Sequence, residues 1–301
     1  MNSIVMKLDS RAHFNNLNSN PMNAGLKDTE FRKKSLEIRL LILDAIYKAK
    51  KGHIGGSYSI VDILVALFYG GILKFDPKKP DWENRDRFIL SKGHAVAALY
   101  AVLAQVGIIS KDRLENYLTV DDDLYFHPNP NIPGIEFHSG SMGHGLSIGI
   151  GMAFASKLNK INNRIFVVLG DGELNEGSIW ESVLIANAYN LDNLIVIIDR
   201  NFRQANLRTE ELIPLESVQE KFSAFGWETL SCNGHDVNEI RQIVEQISKS
   251  VLDKPKVVIA NTIRGNGIPL MEDNPKYWFG DFNEKELEKF NEILDKEKEK
   301  K

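Results

Sequence analysis

Apolar positions along the chain change their spacing from segment to segment, and the spacing predicts the elements. In DTEFRKKSLEIRLLILDAIYKAKK, residues 28–51, Leu36, Leu40, Leu43 and Ile46 lie near the 3.6-residue period of a helix with one buried face. SIVDILVALFYG predicts a second helix, capped by Ser59 and ended by Gly70. DRFILS is a buried run of strand length, and AVAALYAVLAQVG a small-residue helix ending at Gly107. A loop rich in Pro and Gly follows over 125–145. LSIGIGMAFASKLNK is then a helix whose Gly149 and Gly151 allow close packing, at some cost in propensity. Beyond it the elements alternate. RIFVVLG is a strand, residues 178–190 a helix, NLIVIID a strand, SVQEKFSAFG and DVNEIRQIVEQISKS helices, and KVVIANTI another strand. Such alternation predicts an α/β fold, a mostly parallel sheet with helices on both faces. No repeat or linker divides the chain. Residues 1–25 read as a flexible or accessory arm, 26–280 as one domain, and 281–301 as a charged C-terminal helix on the surface.

Composition narrows the classes. The 301 residues, 43% hydrophobic and 26% charged, suffice for one large core or two modest ones. A net charge of -4 without a basic stripe argues against nucleic acid as a partner. Apolar runs stop short of the ~18–20 residues of a membrane span, and the Asn-rich N-terminus lacks a signal-peptide core. The single Cys232 excludes an internal disulfide and cysteine-rich zinc sites. The expectation is a soluble cytoplasmic protein.

Candidate chemistry sits where two strands end. Gly170-Asp171-Gly172 follows one apolar run, and Asp-Arg-Asn201 closes the next, thirty residues on. In a right-handed βαβ unit both strands end at the same sheet edge, where ligands of open α/β sheets bind. The Asp171 carboxylate and Asn201 carboxamide suit Mg²⁺ or Ca²⁺ completed by phosphate oxygens. Gly170 and Gly172 let a diphosphate approach, and the helix starting near Gly177 and Ser178 offers amides and a favourable dipole. Glu176 is a candidate acid at a subunit contact. An Asp-Gly turn after a strand is also common without function; the shared βαβ frame favours a metal site. No dinucleotide or Walker fingerprint is present. Five of the seven histidines, at 53, 94, 127, 138 and 144, fall in one stretch where they can titrate or bind hydroxyls. His138 and His144 read equally as loop caps, His13 and His235 as structural, and zinc has no supporting spacing.

The Gly-Asp-Gly and distal Asn resemble a thiamine-diphosphate motif. KKGHIGGSYSIVDILVALFYG, DRFILSKGHAVAALYAVL, FHPNPNIPGIEFHSGSMGHGLSIGIGMA and KFSAFGWETLSCNGHD resemble the N-terminal, diphosphate-binding domain of transketolases, in unbroken order from about Lys33 to Gly267. The resemblance implies thiamine diphosphate and Mg²⁺ as cofactors. It makes Asp171 and Asn201 the side-chain metal ligands and the Arg203 carbonyl a backbone ligand. His53, His94 and His127 become the catalytic histidines facing cofactor and substrate. Gly140, Ser141 and Met142 become the loop that meets the aminopyrimidine through its backbone. Gly170, Asp171, Gly172, Glu173, Asn201 and His94 complete the cofactor set, and Glu176 lies at the dimer contact.

Transketolases also need a pyrimidine-binding domain, absent from this sequence. The resemblance therefore implies a split enzyme, two copies of each subunit, transferring a two-carbon ketol unit between sugar or sugar-phosphate substrates. Alone, this chain should not catalyse. The sequence departs from the family in NFRQANLRTEE, bulkier and more basic than usual, in NTIRGNG, and at Trp278 and Phe279, where the family carries a histidine beside the diphosphate. Arg203 or Arg264 is expected to take over lost diphosphate contacts, since arginine pairs well with phosphate. Three other readings stand. The α subunit of a 2-oxo-acid dehydrogenase shares Gly-Asp-Gly…Asn but not SKGHAVAALY or GHIGGS. A deoxyxylulose-type synthase should carry its second domain in the same chain, and a non-catalytic scaffold could keep the fold without the cofactor.

Overall fold

The computed structural model describes residues 26–299; the arm at 1–25, with His13, and the last two lysines lie outside the described residues. Five strands form one parallel sheet: β1 (Arg87–Leu90), β2 (Ile165–Gly170), β3 (Leu194–Arg200), β6 (Glu228–Asn233) and β7 (Lys256–Asn261), in the order β1-β2-β3-β7-β6. Two short strands, β4 (Arg203–Gln204) and β5 (Leu207–Arg208), pair as a separate antiparallel hairpin.

Side-chain alternation along the central strands divides the core into two. Phe166, Val168, Ile195 and Ile197 point to one face, against α1 (Asp28–Ala49), α2 (Ile54–Ser59), α3 (Val61–Tyr69), α4 (Val96–Gln105) and α9 (Val237–Ser248). Ile165, Val167, Leu169, Val196 and Ile198 point to the other, against α5 (Gly145–Leu158), α6 (Gly177–Ala188) and α8 (Val218–Ala224). A single helical turn, α7 (Thr209–Leu212), follows the hairpin, and α10 (Glu284–Glu299) closes the described chain. Both faces of the sheet are covered, as the apolar strands require.

Several local expectations shift. In α1 the fully buried stripe runs through Phe31, Ile38, Ile42 and Ile46, while Leu36 and Leu40 are only partly buried against it. The second predicted helix, 59–70, is α3, and a separate short helix, α2, precedes it, the two parted at Ile60. Ser59 ends α2 instead of capping α3, and its hydroxyl lies within hydrogen-bonding distance of Gly56 O and Asp199 Oδ2. Gly149 behaves as expected: a Cβ there would lie 2.6 Å from Val167 Cγ2, so α5 needs glycine to sit on β2. Gly151 faces open space, so close packing does not explain it. The charged α10 still buries Phe290 and Leu294 beside Tyr277 and Phe282, one face of it belonging to the core.

Candidate active site

The parallel register Gly170↔Asp199 sets the ends of β2 and β3 side by side, so Asp171 and Asn201 emerge at one edge. Both are buried. Asp171 Oδ2 accepts from Phe202 N at 2.6 Å and Arg200 Nη1 at 3.1 Å, and Oδ1 accepts from Gly172 N at 2.8 Å. Asn201 Oδ1 accepts from Arg203 N at 3.0 Å. Burial, and then the neighbouring Asp199 carboxylate, raise Asp171 to about 6 in spite of Arg200. A carboxylate held in this way gains from a cation. Asp171 Oδ1 and Asn201 Oδ1 each keep a lone pair, and their hard oxygens fit Mg²⁺ or Ca²⁺. Among the described residues no group of three or more His, Cys, Asp or Glu could hold a metal. Remaining ligands would therefore be backbone carbonyls, such as that of Arg203, and phosphate oxygens. Beside Gly172 the space is filled by Gln204, whose Cγ would lie 2.9 Å from an added Cβ. At Gly170 only Lys92 Cβ, at 3.6 Å, stands near.

Beneath this edge lies an ion pair that sequence reasoning missed. Lys92 Nζ pairs with Asp199 Oδ2 and donates to Gly56 O at 3.1 Å, and both side chains are almost wholly buried. Asp199 also accepts from Ser59, Thr262 and Asn201 Nδ2. Burial pushes the Asp199 carboxyl up, but Lys92 and these donors outweigh it and hold it below its usual range. The available signals were an acid ending a fully apolar strand and the lysine of Ser-Lys-Gly-His.

Lys92 connects this network to the histidines, two residues before His94. A Cβ at Gly56, whose carbonyl Lys92 binds, would lie 3.3 Å from His94 Cδ2. His53 lies edge-on to His94, ring centroids 5.4 Å apart, within a wall of Phe126, Trp278 and Phe279 at 5.3, 5.2 and 5.1 Å. His127 faces the loop residue Gly140, where a Cβ would lie 3.4 Å from its Cγ. Burial lowers all three imidazoles: His53, helped by His127 and Lys92, to about 4, His94 well below its ordinary value, and His127 more mildly. They are held neutral at physiological pH. His53 Nδ1 is buried without a partner among the described residues.

The loop before α5 is tied to the same edge by Glu173. Its Oε1 accepts from Gly143 N at 2.8 Å and from Ser91 Oγ, and its Oε2 from Gly170 N at 3.1 Å. Glu173, expected among the cofactor residues, thus receives three protein donors on its carboxylate, one of them from Gly143, the residue that follows Met142 in the loop. Gly143 has φ +84°, and a Cβ there would lie 2.5 Å from Ser178 Oγ, so only glycine brings this loop against α6. Ser141 is exposed, and His144, also exposed, donates from Nδ1 to Met142 O at 3.0 Å.

The remaining candidates separate. His138 is exposed, as is Glu176 at the start of α6. His235 does more than open a helix: its Nδ1 bonds Asp62 Oδ2 at 3.0 Å and its Nε2 accepts from Ile263 N at 2.7 Å. Of the two arginines expected near a diphosphate, Arg203 is paired with Asp273, whose other oxygen takes Arg208. Trp278 and Phe279, in place of a histidine, contribute rings to the wall around His53.

A hard-oxygen donor pair at the carboxyl edge of a parallel sheet, with neutral histidines beside it, defines an α/β protein whose candidate site lies where ligands of open α/β sheets bind. Residues 32–300 match the family model for transketolase, thiamine diphosphate binding domain, and the chain belongs to the transketolase family. Over 242 residues it is 42% identical to an apulose-4-phosphate transketolase subunit from Phocaeicola vulgatus, covering 80% of this chain and 85% of that one. To 6-deoxy-6-sulfo-D-fructose transketolase subunit SqwG of a Clostridium species it is 41% identical, over 78% and 85% of the two chains. Among solved structures, transketolase of Campylobacter jejuni superposes with a TM-score of 0.84 at 33% identity. That match covers 90% of this chain but 43% of the solved one, so the chain spans less than half of a full transketolase. Among the readings left open by the sequence, the family placement favours the transketolase one. No helix among the described residues is long and apolar enough to cross a membrane.

Proposed function

We propose that this chain is the diphosphate- and metal-binding subunit of a split transketolase, cytoplasmic, which moves a two-carbon ketol unit between sugar phosphates. The observation that carries this reading is the meeting of Asp171 and Asn201 at one sheet edge, joined through Asp199 and Lys92 to His53 and His94. Two relatives are named as subunits, and the chain spans 85% of each, which supports a separate polypeptide for the pyrimidine-binding part. Two copies of each subunit would complete the assembly.

Thiamine diphosphate, when bound, supplies the electron sink for a substrate carbanion. The chain's own residues do the rest. Asp171, Asn201 and the Arg203 carbonyl would hold the metal, beside the place of the diphosphate. The loop 140–142, tied down by Glu173, presents backbone to the aminopyrimidine. His53, His94 and His127, neutral, are fit to accept or donate a hydrogen bond at sugar hydroxyls or take a proton transiently. The aromatic wall around His53 keeps bulk water away from that side.

The test is capture of the tagged full chain from its own cells with Mg²⁺ and thiamine diphosphate, followed by ketol transfer from a ketose phosphate to an aldose phosphate. A stoichiometric partner with a pyrimidine-binding domain, and transfer only by the pair, is the expected result. A captured pair that binds cofactor without transferring, or full activity of this chain alone, would reject the reading.

A further inference from the structure

His235 follows β6, and its ring stands between the buried carboxylate of Asp62 and the segment that leaves β7. Nε2 accepts from Ile263 N at 2.7 Å, so it carries no proton, and the one ring N–H left, on Nδ1, donates to Asp62 Oδ2 at 3.0 Å. Both ring nitrogens are spent on protein, which bars His235 from proton transfer and leaves it as a spacer of fixed length. Asp62 is held in its turn. Arg39 Nη1 and Nη2 donate to its two oxygens at 3.2 and 2.7 Å. Burial pushes its carboxyl up, but Arg39 and His235 outweigh that and hold it below its usual range. Arg39 Nε continues to Asn266 O at 2.9 Å, and a Cβ at Gly267 would lie 2.7 Å from that nitrogen. One buried acid thus grips the segment 263–267 through two different side chains.

The grip lies between two contacts with the site. One residue before Ile263, Thr262 N donates to Arg200 O at 3.0 Å and its hydroxyl donates to Asp199 Oδ1. Two residues after it, Gly265 N donates to Gly55 O at 3.0 Å, in the turn that carries His53. Between them the Arg264 stem packs on that same turn, since a Cβ at Gly55 would lie 3.1 Å from its Cγ. A displaced Ile263 would therefore move both contacts, one leading through Asp199 to Asn201 and one to His53.

We infer that His235, as its Nδ1–H tautomer, is a positioning residue that sets Thr262 against Asp199 and Gly265 against the His53 turn. The inference rests on the proposed function and adds to it a polar cluster, Arg39–Asp62–His235, on the far side of the segment from the metal edge.

The experiment compares wild type, His235→Gln and His235→Leu, as full chains and as the pair captured with the partner. Nitrogen-15 NMR of the wild type should show Nδ1 protonated and Nε2 bare at neutral pH. His235→Leu should speed hydrogen exchange at the Thr262 and Gly265 amides. It should also weaken binding of Mg²⁺-thiamine diphosphate to the pair about fivefold to tenfold in calorimetry. Gln places an acceptor oxygen where Nε2 lay and should restore most of both. A merely structural histidine would lower the melting temperature in His235→Leu and leave the exchange and the affinity of the folded pair unchanged. That result, or a wild-type ring protonated on Nε2, would overturn the inference and leave the proposed function intact. Where His235→Leu fails to fold, the wild-type ring and His235→Gln decide. A wild-type pair that neither binds thiamine diphosphate nor transfers a ketol unit would overturn both.

Discussion

Asn201 Nδ2 donates to Asp199 Oδ2 at 2.8 Å, and this bond decides which end of the Asn201 carboxamide faces the metal edge. An ionised carboxylate only accepts, so the amide nitrogen must turn towards Asp199 and the oxygen away from it. Lys92 keeps Asp199 ionised in a fully buried place. One ion pair thus orients the oxygen expected to bind the metal.

Asp199→Ala should destabilise the fold by about 3–5 kcal/mol, because it strands the Lys92 ammonium in the core. The double variant Asp199→Leu with Lys92→Met removes both charges and should recover most of that loss in urea unfolding. It should not recover Mg²⁺-dependent cofactor affinity, since Asn201 has lost its anchor. If the double variant bound cofactor like the wild type, Asp199 would have no positioning role.

Glu173 offers a second check on the same edge. Three donors converge on its carboxylate, from Ser91, Gly143 and Gly170. Glu173→Gln turns an amide nitrogen towards one of those N–H groups and should cost about 1–3 kcal/mol. Glu173→Ala should cost more and loosen the loop 139–145, read as faster hydrogen exchange at Gly143. A Glu173→Ala protein with unchanged melting and exchange would refute that role.

What the sequence made legible follows from which interactions are local. β2 and β3 announce themselves as apolar runs, and Asp171 and Asn201 as polar residues at their ends, because a strand end is a local event. The order β1-β2-β3-β7-β6 is not local: β1 joins β2 across more than seventy intervening residues. Nor is the break at Ile60, where Ser59 turns to reach Asp199 across the core. Asp199, Lys92 and Glu173 escaped notice as a network for the same reason. A buried charge resembles a surface charge until its partner is known. Gly149 and Gly151 are alike in sequence and differ only in what lies opposite them.

Acid should loosen the histidine cluster. Burial, with His127 and Lys92, lowers His53 in the folded chain to about 4, against an ordinary value of 6.5. The unfolded chain therefore takes up a proton first as pH falls, and stability present above pH 6.5 declines towards pH 4. Asp171, raised to about 6, works in the opposite sense over the lower part of that window. The contribution of His53 is thus the difference in pH slope between wild type and His53→Gln, and the variant should be less acid-sensitive. The direct measurement is NMR titration of the His53 ring, expected to stay neutral down to pH 5; a midpoint near 6.5 would remove the basis of the prediction.

The outer face of α5 and α6 gives the last prediction. The two helices are joined by Ser147 to Ser182 at 2.9 Å and by Phe154 against Tyr189, ring centroids 5.1 Å apart. Yet Ile148, Leu184, Ile185 and Tyr189 remain 39%, 55%, 47% and 47% exposed, an apolar group of the kind that marks a contact surface. The exposed Glu176 begins the same helix. On the split-enzyme reading this face meets another subunit. Ile185 is 47% exposed and outside both core clusters, so Ile185→Asp should cost the isolated chain no more than about 1 kcal/mol. Its assembly should fall to the single chain in sedimentation, and ketol transfer should fall with it because the site needs groups from the second polypeptide. Intact assembly in Ile185→Asp and in Leu184→Asp alike would move the subunit contact to another face of the molecule.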